Sequence, residues 1–166
     1  MARRRSDAAV LRAPAAIAPA SIVAELLRLD PDLRTETYYS EQALFYNPGA
    51  AAPLGVILAA IKDHDGPNDR ASRLSRSGVY RLAFQLAPAE FAARFGAVPA
   101  RPPRGGVVAL DLDSATLNRL TPHPVYAWMG WVQILSPTPQ EFDALRPLFE
   151  ESLALVRAKW RRRQAA

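Results

Sequence analysis

LGVILAAIKDHDGPNDRASRLSRSGVYRLAFQLA, residues 54–87, contains two apolar segments separated by a charged loop. The first segment, 54–62, is a continuous apolar run, which is typical of a buried strand. In the second, 79–87, Tyr80, Leu82 and Phe84 alternate with other residues, and this period of two also predicts a strand. These two strands predict the centre of a sheet, and the other elements are placed around them.

Further β-type segments lie on both sides of this pair. TETYY (35–39) and ALFYNPG (43–49) are aromatic-rich and end on a turn signal, so they predict a hairpin. VVALDLDS (107–114) predicts another strand that runs into a helical turn at TLNRL (116–120). VYAWMGWVQIL (125–135) predicts the last strand, in which Gly130 indicates a bulge or a close approach of the backbone.

Three helices complete the pattern. The first is expected to begin at Ser21 as N-cap and to stop before Pro31, and the second is PAEFAARF (88–95), closed by Gly96. The last is a long C-terminal helix, which opens with a capping box at 138–141 and carries apolar residues at helical spacing as far as Trp160. Because no βαβ alternation is visible, we expect an α+β fold, mainly an antiparallel sheet with helices packed on one face.

The size and composition of the chain fit one domain. With 166 residues, 49% of them hydrophobic, it can bury a core of its own, which we place at 21–163. Residues 1–20 are predicted to be a disordered basic extension, 97–106 a mobile loop rich in proline and glycine, and 164–166 a C-terminal tail. The sequence has no cysteine, which excludes disulfides and thiolate chemistry and is compatible with the cytoplasmic location we expect.

The net charge of +5 is unevenly distributed. Residues 1–12 carry +3 and residues 157–166 carry +5, which leaves −3 for everything between them. Basic ends of this kind favour at most weak, salt-sensitive nucleic-acid binding through the termini. No apolar stretch approaches the roughly twenty residues of a membrane-spanning helix, so we expect no membrane partner.

The loop at 62–76 is the best candidate site. Arg70, Arg73 and Arg76 recur every third residue, with Lys62 and Asp63 at the end of the preceding strand. On a turn or two of helix these guanidinium groups would align, and such a cluster suits a phosphate or a carboxylate. The alternative is an exposed, solvated loop whose aspartates, at 63, 65 and 69, pair with its own cations.

A metal site in the same loop is a weaker interpretation. Asp63, His64 and Asp65, with His123, could offer ligands to Mg²⁺ or Mn²⁺. The calcium-loop template fails, because Asn68 occupies its glycine position and Leu74 its final glutamate position. We therefore predict no metal and no cofactor.

His123 lies between two prolines in TPHPVYAWMGW (121–131), close to Tyr126 and Trp131. It could act as a general base or as a hydrogen-bonding group in an aromatic pocket. Alternatively, it is a strand-entry residue whose ring is satisfied by the backbone. The sequence contains no P-loop, dinucleotide-binding, zinc-protease or nucleophile-elbow motif, so an enzyme would have to rely on His123 or His64.

Several short motifs resemble an uncharacterised bacterial family of unknown function over about two thirds of the chain. The first two are a Phe-Tyr-x-Pro turn, at Phe45, Tyr46 and Pro48, and a Lys-Asp strand end, at Lys62 and Asp63. The third is a Ser-x-Leu-x-Arg-x-Gly-Val segment, at Ser72, Leu74, Arg76, Gly78 and Val79. The fourth is a His-Pro-x-Tyr…Gly-Trp-Val strand, at His123, Pro124, Tyr126, Gly130, Trp131 and Val132. More remotely, PVYAWMGWVQIL and EESLALVRAKW are similar to segments of MmcQ/YjbR-like proteins, small α+β domains often described as candidate DNA binders. The resemblances imply a fold and no specific activity.

Taken together, these patterns favour a non-catalytic module that binds a small anionic ligand or a protein partner. The predicted ligand-binding residues are Lys62, Asp63, Arg70, Arg73, Arg76, His123, Tyr126 and Trp131. A small enzyme with His123 or His64 as general base, and nucleic-acid binding through the termini, remain the alternatives. The sequence leaves the oligomeric state open.

Overall fold

A six-stranded antiparallel sheet organises residues 14–166, the part of the chain that the computed structural model describes. The strands are β1 (Leu33–Tyr38), β2 (Glu41–Tyr46), β3 (Val56–Lys62), β4 (Arg81–Gln85), β5 (Thr121–Pro122) and β6 (Trp131–Leu135). Their order across the sheet is β1-β2-β3-β4-β6-β5. The helices are α1 (Pro19–Leu27), α2 (Pro88–Phe95), α3 (Pro139–Ala144) and α4 (Arg146–Gln164). The expected single α+β domain is confirmed.

The predicted hairpin is present as β1 and β2. A two-residue turn joins them, and both of its residues, Tyr39 and Ser40, have positive φ angles of 48° and 62°. This backbone matches the twist of paired strands, although glycine or asparagine is the usual occupant. The turn fixes the register in which Tyr38 lies opposite Glu41.

One face of the sheet carries the main hydrophobic core. Leu44, Leu82, Phe84 and Ile134 point to this face, and all four helices cover it within the described residues. Phe84 meets Phe149 of α4 edge-on, with ring centroids 4.9 Å apart. Burying each such side chain contributes roughly 1.5–3 kcal/mol, so this face supplies most of the stability.

The opposite face is covered by loops. The connection at 63–80 crosses it and donates a hydrogen bond from Ser72 Oγ to Gln133 Oε1, 2.8 Å long. The connection at 96–120 follows, and its Ser114 carbonyl accepts from Gln133 Nε2 at 2.9 Å. Helices therefore occupy one face of the sheet, as expected, and polar contacts fix the loops to the other.

The expected strand at 107–114 is wrong, and so is the helical turn at 116–120. Both segments are irregular, apart from a parallel bridge between Leu117 and Leu135. The position beside β6 that a strand would need is taken by β5, whose Thr121 pairs with Gln133. Because β5 occupies the edge beside β6, the 107–114 segment forms a covering loop instead.

The C-terminal helix is interrupted where one continuous helix was expected. Thr138 caps α3 as predicted, accepting from the Glu141 N–H at 3.3 Å, but α3 ends at Ala144 and α4 starts at Arg146. Pro147 explains the break, because proline lacks an N–H and its ring clashes with the carbonyl four residues earlier. It is tolerated in the first turn of α4.

The ends of the domain differ slightly from expectation. Helix α1 begins at Pro19 with Ala18 as N-cap, three residues before the expected N-cap Ser21. Ile17, which precedes this helix, is held to the domain by two hydrogen bonds: its N–H donates to the Pro137 carbonyl, and its carbonyl accepts from Tyr80 Oη. Residues 1–13 of the predicted basic extension lie outside the described residues. Within the described part, no helix combines the length and apolarity needed to span a bilayer.

Candidate functional site

Four charged side chains meet on the loop-covered face of the sheet. Lys62 and Arg81 are partners in the β3–β4 register, and Glu41 lies next to Lys62 on β2. Asp69, from the loop at 63–80, contacts Lys62 and Arg81 from above the sheet. It accepts from Arg81 Nη1 at 3.0 Å and from Nη2 at 2.6 Å, and its Oδ2 lies 3.2 Å from Lys62 Nζ. We call these four residues the charged cluster.

The charged cluster is internally compensated. Lys62 Nζ also lies 3.3 Å from Glu41 Oε1, so two basic and two acidic groups balance. Burial raises the pKa of Asp69, but the hydrogen bonds and charge of Arg81, with the charge of Lys62, outweigh it and hold this pKa well below its usual value. Asp69 is therefore a carboxylate at every ordinary pH.

Arg81 is the most deeply buried member of the charged cluster, with 1% of its surface exposed. Its two terminal nitrogens bind Asp69, but its Nε has no hydrogen-bond partner among the described residues. An unsatisfied buried N–H of this kind costs about 1–3 kcal/mol. The charged cluster thus holds the loop in place, although the unpaired Nε of Arg81 subtracts from the stability that it provides.

His123 lies beside the charged cluster and is only 1% exposed. Its Nδ1 accepts from the backbone N–H groups of Val125, at 3.1 Å, and Tyr126, at 3.2 Å, which places the ring proton on Nε2. Burial, together with the charge of Arg81, lowers the pKa of His123 well below its usual value despite the opposing effect of Asp69. The ring is therefore neutral and its basic nitrogen is occupied, which is poor geometry for a general base.

The structure brings some predicted site residues together and leaves others apart. Lys62 binds Asp69, and His123 lies near enough to Asp69 for the charge of Asp69 to act on its pKa. The ring of Tyr126 packs against His123 at a tilt of 43°, with ring centroids 4.9 Å apart, and Tyr126 is 43% exposed. Trp131 is half-buried at the start of β6, where it pairs with Gln85.

The remaining predicted residues lie elsewhere on the loop. Asp63 is exposed and its carboxylate lies 2.9 Å from His64 Nδ1. Arg70 and Arg73 are exposed, whereas Arg76 donates to the carbonyls of Ser72, Arg73 and Ala115. The expectation of a helical turn here is wrong: the loop is a series of irregular turns, so the three guanidinium groups do not align.

A cleft of about 210 Å³ lies between this loop and the segment around His123. Ala71 forms one wall, and Pro122 and Pro124, which flank His123, form the other. The rest of the lining comes from the 107–114 connection: Val107, Val108, Leu110, Leu112, Asp113 and Ser114. The charged cluster does not line this cleft, so its role is to hold the loop wall in place.

Asp113 marks the polar rim of this cleft. Its carboxylate accepts from the Ala115 N–H at 2.9 Å and from Thr116 Oγ1 at 3.0 Å. These bonds, followed by the nearby charges of Arg73 and Arg76, lower the pKa of Asp113. The two arginines therefore lie close enough to this rim to act on a charge there.

A second cleft, of about 370 Å³, lies between α2 and the 107–120 segment. Its walls are Phe95, Leu110, Leu112 and Leu120, with Arg94, Asp111, Arg119 and Thr121 at the polar positions. Arg94 is already paired with Glu90 at 2.5 Å. No described residue of the charged cluster contributes to this cleft either.

Metal binding receives no support from the described residues, where no three His, Cys, Asp or Glu side chains are placed to share an ion.

The basic C-terminal segment is partly engaged within the domain. Arg157 pairs with Asp30, Lys159 with Gln85, and Arg163 donates to the Gly55 carbonyl at 2.9 Å. Fewer of its cations are therefore free for nucleic acid than the sequence suggests.

Sequence reasoning missed Arg81 and Glu41, and it weighed Asp69 as a metal ligand, a helix cap or a member of a solvated loop, but not as the partner of a buried arginine. One signal was available: Arg81 is a charged residue within the alternating apolar segment VYRLAFQLA. A charge in a buried strand requires a partner, and the preceding loop offers three aspartates, at 63, 65 and 69.

The fold and these clefts define an α+β domain with a loop-covered sheet face and small surface sites. A family model described as a family of unknown function (DUF6194) matches residues 17–165, and the chain belongs to that family. No curated protein and no solved structure shows significant similarity to this chain. The resemblance to MmcQ/YjbR-like proteins stays a prediction.

Proposed function

We propose that this domain is a non-catalytic binding module for a small anion that carries an apolar group. The site is the cleft of about 210 Å³ between the 62–76 loop and the segment around His123. The observation that carries the proposal is the apolar lining of this cleft beside Asp113, whose pKa is lowered by the nearby charges of Arg73 and Arg76. Ligand sites commonly pair apolar walls with a few charged groups.

The size and charge of the cleft indicate the ligand class. Its volume lies below the roughly 300 Å³ at which drug-sized sites begin, so the ligand is a small organic acid. Leu110 and Leu112 contact its apolar part. The exposed Arg73, whose side chain has no ion pair within the described residues, binds its carboxylate or phosphate.

The buried residues have a positioning role in this proposal. Asp69 fastens the loop wall to Lys62 and Arg81, and His123 fixes the turn that presents Pro122 and Pro124. Arg70 adds positive charge nearby on the loop, while Asp63, Tyr126 and Trp131 do not line the cleft. An enzyme with His123 as base is less favoured, because Nδ1 already accepts two N–H groups.

An NMR titration of the full chain tests the proposal. Isobutyrate, benzoate and inorganic phosphate are added separately while the backbone amide resonances are followed. We expect saturable shifts at Ala71 and at 107–114 for the two organic acids, weaker shifts for phosphate, and at least tenfold weaker binding in Arg73→Ala.

Arg28→Ala provides the matched control, because Arg28 is an exposed arginine at the C-terminal end of α1 that pairs with Glu25. This variant should bind like the unmodified protein. Absence of saturable shifts with all three probes, or equal weakening by Arg73→Ala and Arg28→Ala, would contradict the proposed site.

A further inference from the structure

Strand β1 forms an open edge of the sheet. Five of its six residues are exposed, and it contains neither proline nor a bulge. The other edge is different, because β5 is only two residues long and ends at Pro122. Natural proteins protect exposed edges, since unpaired backbone groups there attract another strand. The β1 edge is therefore open to pairing with another strand.

The hairpin determines which backbone groups of β1 face outward. Its two-residue turn makes Tyr38 and Glu41 a hydrogen-bonded pair, and such pairs alternate along antiparallel strands. The hydrogen bond from the Asn47 N–H to the Asp32 carbonyl, 3.0 Å long, follows the same alternation at the open end of the hairpin. Leu33, Thr35 and Thr37 thus direct their carbonyls away from β2, and Thr35 and Thr37 also direct their N–H groups outward.

We propose that β1 pairs antiparallel with β1 of a second copy of this chain, about a two-fold axis at Thr35. In this register Thr35 lies opposite Thr35 of the other copy, and Leu33 lies opposite Thr37. Each of these residues has outward-facing backbone groups, so the two edges match. The two sheets then form one continuous sheet.

Charge complementarity selects this register. Arg34 of each copy lies opposite Glu36 of the other, in a non-hydrogen-bonded pair, where side chains approach most closely. Neither Arg34 nor Glu36 has an ion pair within the described residues, so both are available. The interface therefore contains the same ion pair twice.

Other symmetric registers are less favourable. A two-fold axis at Thr37 leaves Arg34 without an opposing strand residue. An axis at Leu33 pairs Arg34 with Asp32 but brings Pro31 opposite Thr35, and proline has no N–H to donate. The register centred on Thr35 is the one that uses the whole strand.

Charge exchange tests the proposal directly. Sedimentation equilibrium of the full chain should show a monomer–dimer equilibrium that weakens at high salt. We expect Arg34→Glu and Glu36→Arg each to weaken dimerisation at least tenfold, and the double variant to restore it. An equimolar mixture of the two single variants should form a heterodimer in preference to either homodimer.

The substituted side chains are exposed, so circular dichroism melts at concentrations where the chain is monomeric should be unchanged by these variants. A monomer at concentrations up to about 1 mM, the weak limit of specific association, would overturn the proposal. A dimer that is insensitive to Arg34→Glu, or that the double variant does not restore, would overturn it as well. Binding of isobutyrate at the distant cleft is a separate measurement, so either proposal can fail alone.

Discussion

Asp69 and Arg81 are joined by two N–H···O bonds, of 3.0 and 2.6 Å, between an irregular loop and the start of a buried strand. A bidentate contact between a guanidinium and a carboxylate fixes both distance and orientation. It therefore holds the 63–80 connection against the sheet, and with it the wall of the 210 Å³ cleft that contains Ala71.

Replacement of Asp69 by asparagine should destabilise the domain strongly. Asp69→Asn leaves the buried charges of Lys62 and Arg81 with only Glu41 as counter-charge, and breaking a buried ion pair costs about 3–5 kcal/mol. Chemical denaturation measures the change in the free energy of unfolding.

Asp63→Asn is the control for this substitution, because Asp63 is an exposed aspartate of the same loop. We expect its effect to stay within about 0.5 kcal/mol. If the two variants lost stability equally, Asp69 would have no special role in holding the loop.

Stability should fall as the pH drops below about 6.5, the usual pKa of histidine, because of His123. Its pKa is lowered in the fold, so the unfolded chain binds a proton that the folded chain excludes. One such proton gives a slope of up to about 1.4 kcal/mol per pH unit. Denaturation curves between pH 7 and 5 measure this slope.

His123→Asn should flatten that slope while keeping the local backbone contacts. An asparagine side-chain oxygen can accept from the N–H groups two and three residues ahead, as His123 Nδ1 does. A slope that survives His123→Asn would assign the titration to another group.

Asp69 acts in a lower pH range. Its pKa is lowered in the fold, so its contribution is present above the ordinary aspartate value of 3.8 and is lost as the pH falls below it. The two effects can therefore be separated on the pH axis.

Gly130→Ala should cost more stability than Gly78→Ala. Both glycines have positive φ angles, 79° and 73°, a region that disfavours alanine by roughly 1–2 kcal/mol. At Gly130 an added Cβ would also lie 3.1 Å from the Leu86 carbonyl oxygen, whereas at Gly78 it would meet nothing within 4 Å. We expect a difference of about 1 kcal/mol by chemical denaturation. Equal losses would mean that the close approach at Gly130 relaxes freely.

Most individual elements could be predicted from the sequence because their signals are local. The apolar run at 56–62, the alternation at 81–85 and the Pro88 and Gly96 boundaries of α2 all follow from neighbouring residues. The close backbone approach at Gly130 was also predicted from local sequence. Pro147 was a local signal too, and taking it into account would have predicted the break between α3 and α4.

The amino-acid sequence by itself determined that this protein is an α+β domain, since hydrophobic periodicity fixes the type of each element and the face it buries. Only the tertiary structure decided that β5 displaces the 107–114 segment from the sheet edge, and that Glu41, Lys62, Asp69 and Arg81 meet beside His123. The physical reason is that periodicity is a property of neighbouring residues, whereas a charge pair or an edge depends on which strands become neighbours in space.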